Sequence, residues 1–219
     1  GWLDSIKNTP GVEVLTEVIE DNALLRYRDN QIVARIKGVS DNFLDQERFS
    51  KGYFSGEKSL GTEAQPSAIL GRGVGYFLSV DLDNEFDFLQ VFYPKSPRSG
   101  SIDPRNMYNR DIIKPVGFFS IEKQFDDEYV IVPLDFAQNL LNYGSKRTSL
   151  EVKVSDEHEI AEVKTALRNH LGKSFLVRDT DEQHAGLLLT IKLEKLFVFL
   201  TLTFILAVAS FNIFFSLSM

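Results

Sequence analysis

Cysteine is absent from this sequence, which excludes disulfide bonds and thiolate metal sites but leaves the compartment open. Histidine is scarce, with only His158, His170 and His184 present. A helix expected from about residue 156 puts His158 in its first turn and His170 in its last, so these two cannot share a ligand sphere. All three read as solvated surface side chains, and no metal site is expected. A basic excess is missing as well: the net charge of −7 opposes nucleic-acid binding, because phosphates need a cationic surface. No G-x-x-x-x-G-K-[ST] occurs, so there is no P-loop. The glycine-rich "LGRGVGYF" at residues 70–77 lacks the dinucleotide spacing and reads as small residues within a closely packed helix. The acidic "FDDEY" at residues 125–129 reads as a turn between strands. Neither a cofactor nor a catalytic residue is implied, and the chain is read as non-enzymatic.

Charge is missing from one further place. The run "LFVFLTLTFILAVASFNIFFSL", residues 196–217, contains none. At ~1.5 Å per residue it is long enough to cross a hydrocarbon core of roughly 30 Å, and it is apolar all round, unlike most core helices. Its position rules out a signal peptide. The start at Gly1 and the stop at Met219, without a basic flank, read as the ends of a segment of a longer membrane protein.

Before that run the chain reads as an acidic, water-exposed α+β region. A short helix comes first, then a hairpin with its turn at Asp29-Asn30. Ala23, Leu25 and Tyr27 alternate with polar residues, as do Ile32, Ala34 and Ile36, so one face should be buried. Residues 40–62 are polar and loop-like. "QPSAILGRGVGYFLSV" reads as a helix with Pro66 in its first turn and Leu70, Val74 and Phe77 at helical spacing. Strands are expected at "FDFLQVFYP", "IIKPVGFFSI" and "EYVIVPL", and a helix at "LDFAQNLLNYG" closed by Gly144.

A β-α-β unit follows. "SLEVKV" alternates as a strand. Asp156 reads as an N-cap, with Glu159 closing a capping box. Ile160, Val163, Leu167 and Leu171 form the helical stripe, Gly172 ends it, and "SFLVRD" reads as the second strand. From Leu187 to Leu217 no Gly or Pro interrupts a helix running into the apolar run, so motion outside the membrane could pass along a stiff rod. The α and β pieces at both ends flank a β-rich middle, which is either inserted between them or in tandem with them.

The long segment "YPKSPRSGSIDPRNMYNRD", residues 93–111, joins two strands that a two-residue turn could have joined. Loops of this length tend to be functional or disordered. Pro94, Pro97 and Pro104 punctuate it, and Lys95, Arg98, Arg105 and Arg110 make it locally basic in an acidic chain. It reads as a docking element for a partner or as a flexible connector.

These pieces occur in the same order in the lipoprotein-releasing permeases. The sequence resembles these Lol-type transmembrane subunits, which lie in a superfamily with the cell-division permease FtsX and the efflux permease MacB. "ILGRGVGYFL", "IKPVGFFSIEKQFDDEYVIVPLDFAQNLL" and "FILAVASFNIFFSLSM" carry the resemblance, which covers essentially the whole chain. It implies a porter-like α/β subdomain made of residues 1–44 and 148–186, with a β-rich Sabre-like subdomain at residues 45–147. A stalk and transmembrane helix at residues 187–217 would complete the segment. It also implies a bacterial inner-membrane location, with residues up to about 190 on the periplasmic side.

The implied partners are a cytoplasmic ATPase subunit, a second permease subunit (homo- or heterodimer), a lipidated cargo protein and a periplasmic carrier. The implied action is mechanotransmission, in which ATP-driven movement of the domains expels the cargo. By position, the carrier would dock on Tyr93, Pro94, Lys95, Pro97, Arg98, Pro104, Arg105 and Tyr108. Phe197, Phe204, Phe211, Asn212 and Phe214 would meet acyl chains or neighbouring helices. The other readings are a permease for efflux, one that activates cell-wall hydrolases, and a single-span membrane-anchored binding domain.

Overall fold

The alternation of apolar residues seen over residues 23–36 folds into a long hairpin. The computed structural model describes residues 2–50, 52–84, 86–95, 107–155, 159–172, 175–183 and 185–218. The chain falls into two units, Ile6–Glu157 and a second composed of Gly1–Ser5 and His158–Met219.

After helix α1 (Trp2–Lys7), strands β1 (Val12–Tyr27) and β2 (Asn30–Val39) pair antiparallel. Tyr27 lies opposite Asn30, so the turn is Arg28-Asp29, and Arg28 takes a left-handed φ of 52°. The turn thus falls one residue earlier than expected. Asn30 is a strand residue instead, and its side chain donates to the Leu78 carbonyl at 3.1 Å.

A 3-10 turn (Asp41–Gln46), β3 (Tyr53–Gly56) and β4 (Gly61–Thr62) occupy the region expected to be loop. Next come β5 (Gln65–Gly71) and helix α2 (Arg72–Leu78). The expected single helix over this stretch is therefore a strand followed by a helix. Ala68, Ile69 and Leu70 are each fully buried, and a continuous apolar run of this length looks the same in a doubly covered strand and in a core helix. The glycines consequently sit at a strand-to-helix junction, not within a helix. Close packing still explains them: a Cβ at Gly71 would collide with the Asp126 carbonyl, and one at Gly75 with the Phe118 ring.

The remaining elements of this unit are β6 (Leu89–Pro94), β7 (Tyr108–Ser120), α3 (Lys123–Glu128), β8 (Tyr129–Pro133), α4 (Leu134–Leu141) and β9 (Ser149–Val154). Helix α3 replaces the turn expected at residues 125–127. Its Asp126 carboxylate accepts from the Ser120 hydroxyl at 2.7 Å and the Ile121 N–H at 2.8 Å, fastening the end of β7.

Six strands pair in a closed circuit: β1 to β2, β2 to β8, β8 to β5, β5 to β7, β7 to β6, and β6 back to β1. Strand β7 can serve three partners because its first half pairs with β6 and its second half lies between β5 and β3. The register between β5 and β7 shifts beside Pro115, which has no N–H to give the ladder.

One side of the sheet buries Leu25, Tyr27, Ile36, Leu70, Leu89, Val91, Val130 and Val132 against Val74 and Leu78 of α2 and Phe136 and Leu140 of α4. The other buries Val18, Val39, Ile69, Phe119 and Ile131 with Phe43 and Phe49. Each such Leu- or Ile-sized side chain contributes about 1.5–3 kcal/mol on burial. Strand β9, from the far end of the unit, pairs antiparallel with the first half of β1.

In the second unit, α5 (Ile160–Leu171) has Glu159 at its N-cap with no side-chain capping bond, and Asp156, the expected cap, lies outside the described residues. Val163 and Leu167 of the expected stripe are buried, whereas Ile160 is exposed, and Gly172 ends the helix at φ 64°. Among the described residues, the second strand of the expected β-α-β unit, residues 174–179, does not form. Residues 175–179 have no ladder partner, and the Val177 carbonyl accepts from Arg168 at 2.9 Å. A short helix α6 (Thr180–Gln183) then precedes the long helix α7 (Ala185–Ser218).

Candidate functional site

Two features of the structure bear on function: the β6–β7 hairpin that carries the basic segment, and helix α7. The hairpin ladder runs from Leu89 opposite Ile113 to Pro94 opposite Tyr108. One further bond, from the Lys95 N–H to the Met107 carbonyl at 2.8 Å, extends it. The loop expected over residues 93–111 is therefore shorter, because its two ends are strand. Pro97, Arg98, Pro104 and Arg105 lie outside the described residues.

The stem is fastened to the scaffold at two points. Tyr93 donates its hydroxyl to Asp21 Oδ2 on β1 at 2.7 Å, and Tyr143, beyond α4, donates to the same oxygen at 3.1 Å. The Asp21 hydrogen bond, reinforced by burial, pushes the Tyr93 phenol up to about 12. Burial and the same carboxylate raise Tyr143. On the opposite strand, Asn109 Nδ2 donates to the Leu140 carbonyl of α4 at 2.7 Å. The Tyr93 hydroxyl is thus committed to holding the stem, while Pro94, Lys95 and Tyr108 are exposed at its end.

Strand alternation sends Leu89, Val91 and Ile113 into the core and leaves Phe92, Arg110 and Ile112 on the outer face. The Arg110 guanidinium stands over the Phe92 ring, 5.5 Å from its centroid, and donates to Gln90 Oε1 at 3.2 Å. Phe92 lies opposite Leu24 of β1, which lies opposite Val33 of β2, itself 65% exposed. A row of Val33, Leu24, Phe92 and Arg110 therefore crosses four strands beside the base of the basic segment. Sequence reasoning did not single out this row. The available signal was Phe92 falling on the outward phase of the alternation in "LQVFYP".

Helix α7 includes a 26-residue apolar span, Leu193–Ser218, of mean hydropathy 2.3, long and apolar enough to cross a membrane. Phe197 and Phe204 fall seven residues apart on one stripe, and Phe214 falls roughly a quarter turn away from it; all three are exposed. Position 211 is helical, but its side chain lies outside the described residues, and Asn212 is exposed. At the root of α7, Lys164 of α5 lies 2.6 Å from both Asp179 Oδ2 and Glu182 Oε1. Lys164 holds both carboxyl groups below their ordinary range, and they raise its own pKa.

Among the described residues no group of three or more His, Asp or Glu comes together as a metal site. His170 is exposed in the last turn of α5, and His158 and His184 lie outside the described residues.

No protein-family model matches the chain. In sequence it is similar to the lipoprotein-releasing system transmembrane protein LolC of Buchnera aphidicola subsp. Schizaphis graminum, at 24% identity over 213 residues, covering 95% of this chain. The chain spans about half the length of that curated relative, with 50% covered. The resemblance to the Lol-type subunits thus extends along nearly the whole chain.

In fold it is similar to the periplasmic region of MacB from Actinobacillus actinomycetemcomitans, with a TM-score of 0.57 and 13% identity over 85% of this chain and 80% of that one. It is also similar to the extracellular domain of the noncanonic ABC-type transporter YknZ from Gram-positive bacteria, with a TM-score of 0.52 and 11% identity over 81% of this chain and 87% of that one. The α+β architecture is that of the extracytoplasmic domains of such transporters.

Proposed function

We propose that this chain is the periplasmic domain and one membrane helix of a transmembrane subunit of an ATP-driven transporter that releases lipoproteins from the bacterial inner membrane. The observation that carries this reading is the similarity to LolC along 95% of the chain. The subunit itself does no chemistry; it couples a separate cytoplasmic ATPase to extraction of a lipidated cargo protein, together with a second permease subunit.

The architecture supports a mechanical role. Helix α7 is a rod of 34 residues, about 50 Å at ~1.5 Å per residue, and the Lys164 cluster ties its root to α5. In this reading residues 1–44 and 148–186 form the porter-like part, supported by the pairing of β9 with β1, and residues 45–147 form the inserted Sabre-like part. A periplasmic carrier docks at the end of the β6–β7 stem on Pro94, Lys95, Tyr108 and the adjoining Pro97, Arg98, Pro104 and Arg105. Tyr93 holds the stem from within. Phe197, Phe204, Phe211 and Phe214 face acyl chains or neighbouring helices. Residues before about 190 lie on the periplasmic side.

The fold similarity to MacB and YknZ favours, as the second reading, a permease of the same architecture that exports another cargo. Depletion of the protein followed by membrane fractionation separates the two. Lipoproteins retained in the inner membrane are the expected result, and normal outer-membrane delivery would overturn the first reading.

A further inference from the structure

Strand β9 is held to its unit by charge more than by burial. It lies outside the closed circuit of six strands and, among the described residues, pairs with β1 alone. None of its residues is buried, whereas β5 buries Ala68, Ile69 and Leu70 and β8 buries Val130, Ile131 and Val132. Side chains fasten it instead. Glu151 pairs with Lys37 of β2 at 2.5 Å and with Arg48 at 3.1 Å. Lys153 pairs with Glu13 of β1 at 3.1 Å and with Glu47 at 3.3 Å.

The two ends of this strand differ. Before its start, the Thr148 N–H donates to the Val18 carbonyl at 3.0 Å, Arg147 pairs with Glu17 at 2.7 Å, and Tyr143 reaches Asp21 at 3.1 Å. At its end the ladder with β1 is irregular between Val12 and Val14. A backbone bond from the Ser155 N–H to the Gly11 carbonyl, 3.0 Å long, closes that end.

The irregular end is also where load enters. The chain joins the unit Ile6–Glu157 just before β1 and leaves it just after β9. Because the two strands are antiparallel, both connections emerge side by side. Beyond β9, the Lys164 cluster ties α5 to α6 and the root of α7. A pull that separates the two connections therefore meets the ladder one bond at a time, from Ser155 inwards. Each such bond makes only a modest net contribution, so a ladder loaded in turn yields more readily than one loaded all together.

We propose that β9 is a releasable joint. Load from the membrane helix opens the β9–β1 ladder from Val154 toward Ser149, and the Glu151 and Lys153 pairs draw it shut again. The bonds of Tyr143, Arg147 and Thr148 keep the strand's start in place. The Lys153 pairs are partly exposed, with Glu13 44% and Glu47 68% exposed, so water takes the lost partner's place at each opening. The proposal rests on the reading of α7 as the membrane helix of an ATP-driven permease.

The absence of cysteine from these 219 residues allows the joint to be locked. Leu15 and Val152 lie opposite each other in the ladder, so Leu15→Cys with Val152→Cys links the strands under a thiol oxidant. The full permease, free of other cysteines, is reconstituted with its ATPase in liposomes holding a lipoprotein, with a periplasmic carrier present. Oxidation should abolish ATP-dependent release, leave crosslinking to the carrier unchanged, and be reversed by reductant. Arg26→Cys with Gln31→Cys, opposite each other beside the hairpin turn, locks a ladder within the closed circuit and should leave release intact. Full release from the oxidised Leu15 and Val152 pair, or equal loss with the Arg26 and Gln31 pair, would overturn the joint. No release from the unaltered permease would instead refute the transport reading.

Amide hydrogen exchange gives a second readout that needs neither the disulfide nor transport. Residues 149–154 should exchange about tenfold faster than residues 129–133, and Lys153→Met should quicken them about fivefold more. Protection of β9 equal to that of β8 would overturn the proposal.

Discussion

The Lys164 ammonium lies 2.6 Å from the Asp179 carboxylate, joining α5 to the segment that leads into α6 and α7. Glu182 of α6 completes the clamp at 2.6 Å from the same ammonium and 3.3 Å from Arg168.

If this clamp fastens the root of the membrane helix, Lys164→Met should release α6. Amide hydrogen exchange at residues 180–183 is expected to accelerate about five- to tenfold, while Lys164→Arg keeps most of the protection. The pH dependence follows from the shifts. Asp179 and Glu182 are lowered, so their contribution is present above the ordinary carboxylate range near pH 4 and is lost as pH falls below it. Lys164 is raised, so its contribution is full below about pH 10.4 and is lost as pH rises past that value. Protection at α6 should therefore be flat from about pH 5 to 9. A step in protection near neutral pH would contradict this assignment.

Asp21 is expected to act as the anchor of the hairpin stem. Asp21→Ala should cost about 1–3 kcal/mol in denaturant unfolding, because two tyrosine hydroxyls lose a charged acceptor. Asp21→Asn should bring Tyr93 from about 12 back toward the ordinary value near 10, read by tyrosinate absorbance. With the phenol's pKa raised on folding, its contribution is full below pH 10 and vanishes as pH climbs to about 12. An unaltered tyrosine titration in Asp21→Asn would remove Asp21 from this role.

Gly38 on β2 meets α4 at closest approach, and a Cβ there would collide with that of Ala137. Gly38→Ala is expected to destabilise the unit by about 1–3 kcal/mol through overpacking. Adding Ala137→Gly should recover part of that loss, since the two changes share one contact. Additive losses in the double variant would show that the contact is not the cause.

Carrier docking makes a further prediction. Replacing residues 97–105 with a two-residue turn leaves the ladder from Leu89 to Pro94 intact, so the melting temperature should hold while crosslinking to the carrier disappears. Arg110→Ala, on the outer face of the stem, should weaken docking about tenfold, some 1.4 kcal/mol. Undiminished crosslinking after the replacement would clear the segment of a docking role.

What the sequence made legible followed where burial is one-sided. The β1–β2 hairpin and β9 show their alternation openly because each keeps a polar face, and α7 declares itself by length and lack of charge. Strand β5 was misread because both of its faces are covered, which erases the period of two. The strand expected at residues 174–179 was misread because its residues alternate suitably but, among the described residues, find no partner strand, and Arg168 takes one of its carbonyls. The extent of the basic segment was overestimated for a related reason: Tyr93, Asn109 and Arg110 look like loop residues until Asp21, Leu140 and Phe92, distant in sequence, are seen beside them.

The central claim is that this chain belongs to a machine that moves lipidated proteins out of a membrane. The most direct measurement reconstitutes the full permease with its ATPase in liposomes containing a lipoprotein and follows the lipoprotein into the soluble fraction with a periplasmic carrier present. The account predicts release that requires ATP and fails when the segment 97–105 is replaced. A lipoprotein that stays in the liposomes under ATP turnover, with the complex assembled and hydrolysing, would contradict it.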